Sequence, residues 1–84
     1  MNRHDLREQL AASEQERWAH WQRYLHGQCV QHDDGSLTIP TALVARWERQ
    51  SATPYDQLSK EEKVADRAQV ARYWQLIAAC VAPE

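Results

Sequence analysis

Two stretches of the chain interleave aromatic rings with cations. "ERWAHWQRY" (residues 16–24) carries Arg17, Trp18, His20, Trp21, Arg23 and Tyr24, and "ARWERQ" (residues 45–50) carries Arg46, Trp47 and Arg49. Rings stack on bases, and guanidinium groups fork onto phosphates, so the pattern suits a phosphorylated aromatic ligand. The same pattern also fits an ordinary amphipathic helix with a Trp core and an Arg surface. A third place of interest is Asp66-Arg67, on or beside the apolar face of the last helical segment. Adjacent helical residues do not face each other, so each needs its own partner. One of the two is expected to be half-buried, either as a structural bond to a loop or with Arg67 reaching into a pocket.

Other chemistries are poorly supported. "HGQCVQH" sets His26, Cys29 and His32 three residues apart, and His20 adds a fourth donor. That is a set of zinc-type ligands, but the spacing matches no finger pattern, and no metal is expected. There is no G-x-S-x-G, no phosphate-cradling glycine loop and no paired-carboxylate motif, and the chain holds only two glycines. An 84-residue helical chain also has little room for a closed, water-excluding site. The expectation is therefore no enzyme and no cofactor.

Composition bounds the partners. The chain has 43% hydrophobic and 26% charged residues, the balance of one ordinary domain. It holds four Trp, three Tyr and no Phe, the aromatics favoured where a ring is packed on one side and wet on the other. A net charge of −2 gives no global basic footprint, so nucleic acid is not an expected partner. The two cysteines, Cys29 and Cys80, could form one disulfide, but nothing requires it, and a reducing compartment fits better. The first ten residues carry no apolar signal segment, and no apolar run approaches the ~20 residues of a membrane span. The expected setting is cytoplasmic, with no membrane partner.

The elements that must hold these residues follow from spacing. Leu6, Leu10, Arg17/Trp18, Trp21 and Leu25 recur at threes and fours, which predicts a helix over residues 3–26. "SEQE" (residues 13–16) has capping-box form, so the helix is either continuous or slightly broken there. Gly27 is placed as its terminator. "GQCVQHDDGS" is a loop with a turn at Asp34-Gly35. "SLTIP" alternates and is extended, and with Cys29-Val30 it could form a tiny hairpin. Pro40 opens a second helix with Leu43, Val44 and Trp47 on one face, and "SATP" ends it. Ser59 and Glu62 form a capping box for a third helix, begun at Ser59 or Lys60 and stopped by Pro83. On that helix Val64, Ala68, Ala71 and Trp74 share one side, while Val70, Tyr73, Ile77 and Val81 share an adjacent one. The fold class is mainly α: a small single domain, residues 1–84, of about three helices, with a short extended or hairpin segment between helices one and two. Residues 1–5 and 82–84 are expected to fray.

"TPYDQLSKEEKVADRAQV" (residues 53–70) resembles the most characteristic stretch of the ryanodine-receptor repeat, the RyR domain. That stretch has an aromatic after proline, a leucine three later, and a capped helix with E-K-x-x-D-R. Pro54, Tyr55, Leu58, Glu62, Lys63, Asp66 and Arg67 fall in place. "AHWQRYLHG" is similar to the family's His-x-x-Trp helix, although here His20 is followed directly by Trp21. The family's Gly-Trp-x-Tyr-Gly turn is not recognisable. The resemblance covers about half the chain and is strongest in its last third. The whole chain also looks like small proteins of bacteriophages and prophages. The resemblance implies a compact helical module that acts as an interaction and regulatory unit in giant calcium channels. In bacteria and phages it implies binding of nucleotide-derived signals.

Two functions follow. The first is a small non-enzymatic binding module for a nucleotide-derived metabolite or second messenger. If phage-encoded, it would sequester a host immune signal in the host cytoplasm. Trp21, Tyr24, Trp47 or Tyr55 would stack on a base, Arg67 with Arg46 or Lys63 would hold phosphate, and Asp66 would orient the arginine or bind a ribose hydroxyl. The alternative is a protein-interaction adaptor, possible as a homo-oligomer through exposed Trp faces.

Overall fold

A computed structural model describes residues 2–81. Three helices and one minimal hairpin account for them: α1 (Arg3–Gln28), β1 (Val30–Gln31), β2 (Leu37–Thr38), α2 (Thr41–Ser51), a single 3-10 turn (Tyr55–Gln57) and α3 (Lys60–Val81). This is the mainly helical, single-domain architecture that the spacing predicts. Residues 82–84, and with them the Pro83 stop, lie outside the described residues.

The helix α1 starts at Arg3 because Asn2 caps it. The Asn2 side-chain oxygen accepts the Asp5 N–H at 2.8 Å, and Asp5 places a negative charge at the positive end of the helix dipole. The helix runs without a break through residues 13–16, so the "SEQE" box is not used. Ser13 is half-buried and lines a groove with Arg72 and Leu76 of α3. Gly27 does not terminate α1 either. It lies within the last turn, and the Cys29 N–H closes the end on the His26 carbonyl at 3.2 Å.

The hairpin pairs Val30 with Thr38 and Gln31 with Leu37, antiparallel. Its turn requires Gly35, whose φ of +89° is disfavoured for side chains other than hydrogen. The Asp34 carboxylate accepts from the Ser36 N–H and hydroxyl at 2.9 and 2.6 Å and is held below its usual pKa, first by the hydroxyl and then by the backbone. Pro40 precedes α2, and its carbonyl accepts from Leu43 and Val44.

The principal tertiary contact is an antiparallel seam between α1 and α3. Arg72 donates to Glu16 at 2.7 Å, and Tyr73 donates to Glu14 at 2.6 Å. Leu6, Leu10, Ser13 and Arg17 are half-buried on α1, and Gln69, Tyr73, Leu76, Ile77 and Cys80 on α3. Neither apolar side of α3 forms the seam as a whole: Val64, Ala68, Ala71 and Trp74 are exposed, and on the adjacent side Tyr73 and Ile77 are half-buried while Val70 and Val81 are exposed. Among the described residues none is buried.

Candidate functional site

Trp21, on the seam-side flank of α1, meets Trp47 of α2. Their ring centroids are 5.4 Å apart at an interplanar angle of 67°, the edge-on arrangement that aromatic quadrupoles favour. Tyr24, one turn further along α1, lies 5.6 Å from Trp21 and is tilted by 30°. This three-ring cluster is the joint by which α2 docks on the helix pair.

Below the Trp pair, the chain doubles back through Pro54 and the 3-10 turn into α3. A cleft of about 440 Å³ opens there, walled by Trp21, Trp47, Tyr55 and Leu58, with Gln50, Thr53 and Asp66 as polar groups. That volume lies within the range of small-molecule sites. The Ser51 and Thr53 hydroxyls are already committed, donating to the Trp47 carbonyl at 2.7 Å and the Arg49 carbonyl at 2.5 Å. Gln50 also borders two adjoining hollows, one reaching His20 and Gln69, the other reaching Arg46, Glu61 and Glu62.

The wall carrying Tyr55 is fixed by α3. Ser59 and Glu62 make the reciprocal capping box: the Glu62 N–H donates to Ser59 Oγ at 3.1 Å, and the Ser59 N–H donates to Glu62 Oε1 at 3.0 Å. These bonds hold the Glu62 carboxyl below its ordinary pKa, the backbone bond most strongly, with Arg49 and Arg46 adding attraction from α2. Lys63 stands where a hydrophobic staple would want an apolar residue. It reaches back instead, donating to the Asp56 carbonyl at 3.1 Å while its ammonium lies 5.7 Å from the Tyr55 ring centroid. A cation over a ring is attractive, and here it clamps the turn to the helix it precedes.

The structure therefore gathers Trp21, Trp47, Tyr55 and Asp66 on one cleft and places Tyr24 and Arg46 on the hollows beside it. Lys63 lies next to Tyr55 with its ammonium engaged. Arg67 lines neither the cleft nor the adjoining hollows. The expectation that Asp66 or Arg67 would be half-buried is not met, since both are exposed. Arg67 lies on the flank of α3 away from the seam, whereas Asp66 is in phase with Gln69 and Tyr73 but stands where the seam opens into the cleft beside Trp21. Gln50 and Thr53 were not legible as site residues. Gln50 carries a usable signal, because it follows Trp47 by three and shares its helix face. Thr53 carries none, because it is placed by the end of α2.

The zinc-type donors are dispersed into local bonds. The Cys29 thiol donates to the Leu25 carbonyl at 3.2 Å, and His32 pairs with the Thr38 hydroxyl at 2.6 Å across the hairpin. Among the described residues no group of three His, Cys, Asp or Glu is placed to hold a metal ion. None of the described helices is long and apolar enough to cross a membrane.

Comparison with family models, with curated proteins and with solved structures finds no match to this chain.

Proposed function

We propose that the chain is a small non-enzymatic binding module whose cleft takes a nucleotide-derived metabolite or second messenger. The observation that carries this reading is the edge-on Trp21–Trp47 pair at the head of a cleft that also presents Tyr55, Asp66 and the Gln50 amide. A planar base has ring faces to stack on, at about 1–3 kcal/mol per base. The Gln50 amide offers a donor and an acceptor to its edge, and Asp66 accepts from an exocyclic amine or a ribose hydroxyl. Arg46, in the adjoining hollow, is the cation from the expected set that could reach a phosphate, although Glu61 and Glu62 share that hollow and oppose an anion there. The site thus favours recognition through the base and sugar over recognition through charge. In a phage setting such a module would sequester a host signal.

Titration with adenine nucleotides and cyclic dinucleotides tests this, read by tryptophan fluorescence and melting temperature. A ligand of the class should quench fluorescence and raise the melting temperature, and Trp47→Ala should abolish both effects while leaving α1 and α3 helical by circular dichroism. No response from any nucleotide at millimolar concentration would exclude the reading.

A further inference from the structure

The α1–α3 pair has two unlike faces. Helical phase fixes which residues share each one. Trp18 on α1, and Val70 and Trp74 on α3, each lie about a quarter turn or slightly more from their own seam positions, in the same rotational sense along the chain. In antiparallel helices equal offsets of that kind point to the same side. Gln9, Ala12 and Glu16 of α1, with Arg72 and Gln75 of α3, are offset the other way and line a common groove on the opposite side. That opposite side is polar and is bridged by Arg72–Glu16. The first side is apolar and open. Trp18 is 52% exposed, Val70 57% and Trp74 62%. The hollow beside Trp18 is lined by α1 residues alone, so no other element covers it.

The surface is too large for a chain that is complete alone. The accessible area is 6972 Å², whereas folded monomers of 9.8 kDa expose about 5,200 Å². The radius of gyration is 17.0 Å, against about 12 Å for a compact chain of this length. That surplus of about 1,800 Å² is spread over the whole elongated chain, and a contact covering about half of it on each of two copies would bury about 1,800 Å² in total, the size of a stable interface. The face also tolerates its own copy. Its central charges, Glu14 and Arg17, already neutralise each other, so the middle of two identical faces meets without like-charge repulsion, while Arg7 and Arg67 share the helical phase of the face towards its ends.

We infer that a second copy of this chain docks on the Trp18/Val70/Trp74 face, pairing two α1–α3 hairpins about a two-fold axis into a four-helix layer. The contact is isologous: each copy gives the same residues and receives the same residues. It buries two tryptophans per chain that the fold leaves wet, and at Trp18 it comes within one helical turn of Trp21 of the cleft.

Light scattering and sedimentation of the full chain test the dimer. The expected mass is twice 9.8 kDa, with a melting temperature that rises with protein concentration. Trp74→Glu and Trp18→Glu should each weaken dimerisation at least tenfold. Gln75→Glu, on the polar face of the same helix, should leave it unchanged. The unmodified protein needs no variant to decide the main point: a chain that stays monomeric and fully helical at high micromolar concentration overturns the proposal. A dimer that survives both tryptophan changes, or that is weakened as much by Gln75→Glu, overturns the assignment of the face. A monomer that buries its tryptophans only on a different protein does so as well.

Discussion

Tyr73 of α3 donates its hydroxyl to the Glu14 carboxylate of α1 at 2.6 Å, and Arg17 holds the same carboxylate from its other side. One acidic group therefore ties an i,i+3 pair on α1 to the neighbouring helix. Its pKa is lowered from 4.5 to about 2, first by the Arg17 bond and then by the Tyr73 hydroxyl. A carboxyl whose folded pKa is depressed adds stability above its unfolded value and loses it as pH falls towards the folded one. The melting temperature should accordingly fall between pH 4.5 and about 2. Glu14→Gln should lower it at neutral pH and make the acid fall shallower. Asp34 and Glu62, also depressed, should leave a residual slope. An unchanged profile in Glu14→Gln would show that this contact does not hold the seam.

The start of α3 rests on two short bonds between Ser59 and Glu62. Ser59→Ala removes the acceptor for the Glu62 N–H and should cost about 1 kcal/mol in denaturant unfolding. Glu62→Gln keeps the box geometry without the charge and should cost less. A larger loss in Glu62→Gln would mean that the charge at the helix dipole, and not the hydrogen bond, dominates this end.

The two glycines predict opposite signs for one substitution. Gly27 is helical, and a Cβ there meets nothing within 4 Å. Gly27→Ala should stabilise by about 0.5–1 kcal/mol, since alanine loses less backbone freedom in a helix. Gly35 has equal space but a φ of +89°, so Gly35→Ala should destabilise by about 1–2 kcal/mol. Thermal melts of the two variants side by side check the contrast.

Arg67 lies on the exposed flank of α3. Arg67→Ala should change stability by less than about 0.5 kcal/mol, the usual range for surface sites. Its effect on nucleotide-induced melting shifts then reads its role in binding alone. A full shift in Arg67→Ala would remove it from the ligand site and leave Arg46 as the phosphate candidate.

What the sequence made legible was local chemistry. The Ser59–Glu62 box could be read because both partners and both bonds lie within one turn. Ser13 and Gly27 misled for the same reason: each carries a strong local preference that a long continuous helix overrides. The seam side of α3 was not legible. Apolar residues occupy two adjacent stripes of that helix, and the seam follows neither alone but runs along Gln69, Tyr73, Leu76, Ile77 and Cys80, with Tyr73 bonded to Glu14 more than fifty residues away. The exposure of Arg67 follows from that course and was hidden with it, and Asp66 is exposed because the seam opens into the cleft at its position.

Trp21 and Trp47 sit edge to face at 5.4 Å and belong to different helices. Indole rings that close and tilted to one another couple as excitons, which should give a paired positive and negative band in circular dichroism that no isolated tryptophan shows. The couplet depends on α2 staying seated against α1, not on helix content. The protein thus carries an intrinsic optical gauge of one joint. Should α2 lift away while α1 and α3 remain paired, the couplet would collapse with the helical signal intact, and that local opening would be visible without any label.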